Sequence, residues 1–167
     1  QSVHTATALG VAGGFILMCA GLLLAPVLLR LMRVNGEVMG YALSYVRIYF
    51  LGMVPTALYN VGAGILRAIG DSRRPLYYLI ATCGVNVVLD LLFVGVFRWG
   101  IEGAAVATVI SQIGNMALTF RYLIRSRECY SVRPREVRFH TRELNIMLRL
   151  GIPSGMQAVL YAVSNMI

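Results

Sequence analysis

Not one lysine occurs among the 167 residues, although arginine appears fifteen times. That absence removes the phosphate-binding lysine of a Walker A loop, a Schiff-base lysine and the nucleotide-binding lysine of kinases together. Work on a solute must therefore draw on an ion gradient or on a separate subunit. Charge of either sign is scarce: 13% of residues carry one, about half the share usual in soluble domains. Cysteine is limited to Cys19, Cys83 and Cys129, an odd count without metal-ligand spacing or a disulfide framework. Cys19 and Cys83 fall in apolar runs, where a thiol is a small hydrophobe. No nucleophile–base pair and no metal motif appears, so catalysis is not expected. A signal peptide is not expected either, since its charged n-region, short apolar run and cleavage site are missing. The chain opens at Gln1 and stops at Ile167 inside an apolar run, the ends expected of a piece of a longer protein.

What is present is apolar. Hydrophobic residues make up 58% of the chain, against about 45–50% in soluble domains. A soluble domain of this size cannot hide that much apolar surface, whereas a bilayer can, so the expected class is an all-α polytopic membrane bundle. The formal net charge of +8 suggests nucleic acid only until the arginines are located. Most stand beside apolar runs, where they set membrane topology. The expected partner is the lipid bilayer, with no nucleic acid.

Five apolar segments can be marked. The first, 6–29, has no charge and contains Gly10-x-x-x-Gly14, a spacing that lets two membrane helices approach closely. A polar turn with Arg30, Arg33, Asn35, Gly36 and Glu37 follows. The second, 38–66, carries Tyr41, Tyr45 and Tyr49 at an interface with a snorkelling Arg47. Pro55 should kink it, either as a packing feature or as a hinge, by removing one backbone bond. Gly62 and Gly64 offer a small-residue packing surface. In the loop that follows, Gly70 suits a left-handed helix end, Asp71 and Ser72 supply capping oxygens, and Pro75 fits the next first turn. The third segment is 76–97 and the fourth 103–120. A basic connector, 121–149, includes a short amphipathic helix capped by Thr141 with Leu144, Met147 and Leu148 on one side. The fifth segment starts at Leu150, with Pro153 near its start. His4 and His140 both lie close to water.

Orientation follows from the arginines. Arg67, Arg73, Arg74 and the connector's arginines lie on one side, against Arg30, Arg33 and Arg98 on the other. The richer side is expected in the cytoplasm, with loop 67–75 and connector 125–149, and Trp99 becomes an anchor at the outer interface. The protein is thus expected in the cell membrane as a multi-pass chain.

Asn86 and Asp90 stand in the middle of the third segment, four residues apart and so on one helix face. A carboxylate inside a bilayer costs roughly 2.5–3.5 kcal/mol even on lenient scales, so it faces protein or water and carries function. Asp90 lies seven residues before Phe97, about 10 Å from the turn, and Thr108 lies five residues after Gly103, about 7–8 Å down the return helix. Asp90, Asn86 and Thr108 therefore share a depth. A carboxylate, an amide oxygen and a hydroxyl suit a hard cation such as sodium, and the same trio can tune a carboxylate for proton uptake. Gly103, Ala107, Ser111 and Asn115 form a small and polar stripe. Packing is the expected use of Gly103 and Ala107, while Ser111 and Asn115 line a cavity or pack.

Several runs taken in order resemble the multidrug and toxic compound extrusion (MATE) family. They are Tyr45-x-x-Ile48, Leu66-Arg67-Ala68-x-Gly70-Asp71-x-x-x-Pro75, Asn86-x-x-Leu89-Asp90 and Gly100-Ile101-x-Gly103-Ala104-Ala105-x-Ala107-Thr108-x-x-Ser111-Gln112. Gly151-Ile152-Pro153, Gln157 and Ser164-Asn165 continue the match. The resemblance implies helices three to seven of a twelve-helix, two-lobe transporter. Residues 1–124 would be amino-lobe spans, 125–149 the connector between lobes, and 150–167 the start of the first carboxyl-lobe helix. It further implies exchange of sodium or protons for amphipathic, often cationic, drugs by alternating access. The coupling ion would be held by residues matching Asn86, Asp90 and Thr108 together with an Asp on helix one, and the remaining helices of the transporter would be partners. No cofactor beyond that ion is implied. A related flippase for lipid-linked oligosaccharides, expected to carry arginines in a large cavity, and a non-transporting scaffold are the alternatives.

Overall fold

The computed structural model describes residues 2–125 and 141–164. All regular structure among them is helical: α1 (Ser2–Leu31), α2 (Gly36–Leu51), α3 (Met53–Ala68), α4 (Arg73–Asp90), a π-helical segment (Leu91–Val96), α5 (Gly100–Arg125) and α6 (Thr141–Ser164). Ser2–Leu31, Arg73–Val96 and Gly100–Arg125 are each long and apolar enough to cross a bilayer, as is the bent pair α2 and α3 taken together. Large apolar side chains such as Phe15, Ile16, Leu23, Ile80 and Val88 point outward, as lipid-facing positions do.

The helix ends are written into the sequence. After α3, Gly70 takes a φ of 87°. Its N–H donates to the Arg67 carbonyl at 3.0 Å, while that of Asp71 reaches the Leu66 carbonyl at 2.9 Å. This pair of bonds satisfies the last carbonyls and stops the helix. Arg33 closes α1 in the same way with a φ of 53°, through Arg33 to Arg30 at 3.0 Å and Val34 to Leu29 at 3.3 Å.

Asp71 rather than Ser72 caps α4. The Arg74 N–H donates to Asp71 Oδ1 at 3.2 Å, and the Arg74 guanidinium lies 3.0 Å from Oδ2. Burial works upward on the Asp71 carboxyl, but the Arg74 amide and guanidinium outweigh it and hold the carboxyl below its ordinary value. Because the folded pKa is depressed, this contribution is present above the unfolded carboxylate pKa and fades as pH falls through the folded one. Asp71→Ala should lower stability by about 1 kcal/mol at neutral pH. Thermal unfolding in detergent checks this, and the difference from wild type should shrink in acid.

The second apolar segment is two helices, not one, with a 41° bend between them. The break falls at Gly52, three residues before Pro55. Pro55 has no N–H for the Leu51 carbonyl, so the turn before it loses a bond. The Gly52 N–H shifts to the Tyr49 carbonyl at 3.0 Å. The Gly52 carbonyl then accepts from both the Thr56 N–H at 3.0 Å and the Thr56 hydroxyl at 2.8 Å.

Small residues set the packing. A Cβ at Gly14 would lie 3.0 Å from Val54 Cα and from Ala57 Cβ, and one at Gly10 would lie 2.8 Å from Val61 Cγ2. The Gly10-x-x-x-Gly14 face of α1 thus beds against α3. Gly62 meets Thr119 of α5 in the same manner, whereas a Cβ at Gly64 would touch nothing. Leu66 and Leu123 are fully buried at the arginine-rich end, packed with Val3, Ile65, Phe120 and Tyr122. Arg74 sits 4.2 Å over the Tyr122 ring.

The amphipathic stretch beginning at Thr141 and the fifth segment form one continuous helix, α6, with Pro153 inside it. Ser2 donates to Glu143 at 2.8 Å, tying α6 to the start of α1. Cys129, His140 and Arg127, Arg133, Arg135 and Arg138 of the connector fall in 126–140, outside the described residues, and Asn165 lies outside them as well.

Candidate functional site

Helices α4 and α5 form an antiparallel hairpin through a turn in which Arg98 and Gly100 take φ of 54° and 61°. Each presents a stripe eight residues long to the other, since residues spaced three and four apart share a face. Leu79, Thr82, Cys83 and Asn86 on α4 and Thr108, Ser111, Gln112 and Asn115 on α5 line a cavity of about 170 Å³. A second cavity of about 230 Å³ adjoins it, lined by Thr56, Tyr59 and Asn60 of α3 with Leu79, Gln112 and Asn115.

The hydroxyls in these walls are oriented by backbone. Thr108 donates to the Ala104 carbonyl at 2.9 Å, Ser111 to Ala107 at 2.9 Å and Thr82 to Tyr78 at 2.9 Å. With the protons committed, each oxygen offers only lone pairs to an occupant. The carboxamides are less satisfied. Asn86 Nδ2, Gln112 Oε1, Asn115 Oδ1 and Asp90 Oδ1 are buried without a hydrogen-bond partner among the described residues. Asn115 and Ser111 are themselves buried.

Of the residues singled out from sequence, Asn86, Thr108, Ser111 and Asn115 meet in one cavity. Asp90 stands one turn beyond Asn86 as the last residue of α4, outside that cavity's lining. Pro55 lines neither cavity and acts on the Gly52 break instead.

Directly after Asp90 the backbone widens into the π-helical segment. The Phe97 N–H reaches the Leu92 carbonyl at 2.9 Å and that of Trp99 the Phe93 carbonyl at 2.9 Å. Stacked rings of Phe93 and Trp99, 5.1 Å apart, hold the turn. Such widened turns recur at functional sites in helices. Among the described residues no three of His, Cys, Asp and Glu converge. A cation held here would meet amide and hydroxyl oxygens beside a single carboxylate.

Sequence reasoning missed Gln112, Thr82, Cys83, Thr56 and Asn60 as wall residues. The signal for Gln112 was its place four residues after Thr108 and three before Asn115. Thr82 and Cys83 carry the same signal, four and three residues before Asn86, whereas Thr56 and Asn60 need the packing of α3 on α4 and α5 to be known.

Spans of this length around a buried polar seam define a polytopic membrane protein, and the comparisons with known proteins say of which kind. The MatE family model matches residues 1–92, more than half of the chain. The chain belongs to the MatE family. It is 36% identical over 138 residues to YpnP of Bacillus subtilis, a probable multidrug resistance protein, covering 83% of this chain and 31% of that one. It is 33% identical over 159 residues to YoeA of the same organism, likewise a probable multidrug resistance protein, covering 90% and 34%. A MATE transporter of the MOP superfamily solved facing outward matches with a TM-score of 0.87 at 28% identity, over 99% of this chain and 37% of that chain. A MATE protein solved in a bent conformation matches with a TM-score of 0.87 at 25% identity, over 99% and 42%. The chain spans about a third of the length of the curated relatives it matches.

Proposed function

We propose that this chain forms most of the amino lobe of a cation-coupled antiporter that exports amphipathic, often cationic, drugs by alternating access, and that it performs transport rather than catalysis. The observation that carries the reading is the buried, unpartnered Asp90 oxygen one turn from Asn86, on a helical stretch long and apolar enough to cross the bilayer. Asp90 alternates between a state holding sodium or a proton and an empty one. Asn86 and Thr108 supply oxygens to the ion, or a hydrogen bond to the protonated acid. Ion and drug favour different arrangements of the two lobes, and that difference in affinity couples their flows. The arginine-rich end, with Arg67, Arg73 and Arg74, faces the cytoplasm. Multidrug resistance among the relatives supports the drug as cargo.

Thr108 gives a graded test. In Thr108→Val the shape is kept and the oxygen lost, so the cation concentration for half-maximal efflux should rise about tenfold, near the 1.4 kcal/mol of one good hydrogen bond or ligand. Thr108→Ser should stay close to wild type. Efflux of a fluorescent cationic dye at varied sodium and fixed pH, then at varied pH without sodium, reads the effect and identifies the driving ion. Equal behaviour of the Val and Ser variants would remove Thr108 from the site.

A further inference from the structure

The coupling role of Asp90, Asn86 and Thr108 leaves unexplained why buried amides continue away from it toward the arginine-rich end. Asn115 is only 7% exposed and its Oδ1 has no partner among the described residues. Gln112 Oε1 is buried and unpartnered too, and its carboxamide lies against Gly52 at the break between α2 and α3. A buried amide oxygen left unpaired is costly, so two on one helix face point to an occupant. Both residues wall both cavities. Their volumes of about 170 and 230 Å³ fall below the roughly 300 Å³ at which drug-sized pockets begin, and suit a small ion with a few waters of roughly 30 Å³ each.

The polarity of the walls selects the ion's sign. Thr82, Thr108 and Ser111 donate to backbone carbonyls, and Thr56 donates to the Gly52 carbonyl. Every hydroxyl named along the seam therefore offers lone pairs, which suits a hard cation, and the unpartnered Asn86 Nδ2 stands against this as a donor in the first cavity, free for a water of the ion's shell. At the far end Tyr59 donates to the Pro75 carbonyl at 3.3 Å, on the first turn of α4 beside the Asp71–Arg74 cap.

We infer that the seam between α3, α4 and α5 is a hydrated cation path leading from Asn86 and Thr108, beside Asp90, toward the arginine-rich end as far as Tyr59 and Asn60, with Gln112 and Asn115 as intermediate oxygen ligands and the packed pair Leu66 and Leu123 as the barrier beyond. The inference rests on the proposed role of Asp90 and adds the route by which the ion leaves, inside one lobe and not along the cleft between the two.

Cys83 lines the first cavity and serves as a native reporter. The full-length protein, with every cysteine except Cys83 replaced by Ser, is reconstituted in vesicles and exposed to Ag⁺, a thiol-reactive monovalent cation. Ag⁺ applied to the face carrying Arg67, Arg73 and Arg74 should block drug-driven cation flux. High sodium or acid should slow the block several-fold, and Cys83→Ser should be insensitive. Asn115→Leu should slow cation flux about tenfold, as loss of one ligand implies, with equilibrium cation affinity unchanged, and Asn115→Ser should recover part of the rate. Block only from the opposite face, no block at all, or wild-type flux in Asn115→Leu would overturn the path. Should Asn115→Leu fail to fold, the Ag⁺ assay decides, because it leaves Asn115 in place. Normal flux in Asp90→Asn would instead remove the coupling role itself, whereas a dead Asp90→Asn with an unreactive Cys83 removes the path alone.

Discussion

Asp90→Asn is expected to abolish gradient-driven drug efflux while the protein still inserts and folds. The amide keeps the size and shape of the carboxyl group, so packing at the junction of α4 and the π-helical segment should persist. What changes is charge. A cation or a proton loses the one carboxylate that stands beside the seam among the described residues. Interactions with a charged group contribute about 1.5–3 kcal/mol, which corresponds to a fall in ion affinity of roughly 10- to 100-fold. Coupling should fall further, since an ion that no longer binds cannot shift the balance between lobe arrangements. Removing an uncompensated acid from a membrane helix also relieves a cost, so thermal stability should hold or rise. Expression, a thermal midpoint in detergent and dye efflux from cells are the measurements. Undiminished efflux at equal expression would end the antiporter reading and favour a scaffold.

Periodicity and charge spacing made the spans and their ends legible, because those features act locally. Gly70 and Asp71 close one helix and cap the next through contacts within a few residues, and the sequence pattern says as much. Gly10-x-x-x-Gly14 was likewise readable, although its partner, the Val54–Ala57 face of α3, was not. The bend was anticipated from Pro55 but belongs to Gly52. A proline frees a carbonyl in the turn before it, and the glycine there, with Gln112 against it, is where the chain yields. Depth counting along the hairpin suggested Asp90, Asn86 and Thr108 as one cluster. The cavity walls include Asn86 and Thr108 and then run the other way, through Gln112 and Asn115 to α3. The stripe with Ser111 already marks Asn115 as a cavity or packing residue, but no local pattern announces the continuation to α3, since it depends on which face of a third helix packs against the hairpin. The π-helical widening after Asp90 was equally silent. Leu91–Val96 reads as ordinary apolar helix, and the extra residue per turn shows in the bond from the Phe97 N–H to the Leu92 carbonyl five residues back.

Gly14→Leu should be the most damaging single change to the fold, and its neighbour supplies the control. At Gly14 the first side-chain atom would already lie 3.0 Å from the Val54 Cα and 3.3 Å from the Met53 carbonyl oxygen. Both are backbone atoms of α3, so neither can turn aside as a flexible side chain would. The remaining atoms of leucine must then push α1 away from α3. Overpacking of this kind typically costs about 1–3 kcal/mol, and more where backbone has to move. At Gly13, one position along, a Cβ would meet nothing within 4 Å. Gly13→Leu should be neutral or mildly stabilising, because leucine is the better helix former, by somewhat less than the roughly 0.8–1 kcal/mol that separates alanine from glycine. Retention on size exclusion and the thermal midpoint of each variant make the comparison. Two substitutions of the same chemistry on adjacent residues should diverge sharply if α1 and α3 pack through Gly10 and Gly14. Equal effects would mean that helix propensity, not close approach, governs this part of the bundle. The α1–α3 contact also abuts the Gly52 break, because Met53 and Val54 follow it directly. A Gly14 variant that survives folding should therefore shift the bend, and with it the place of Gln112 at the head of the seam.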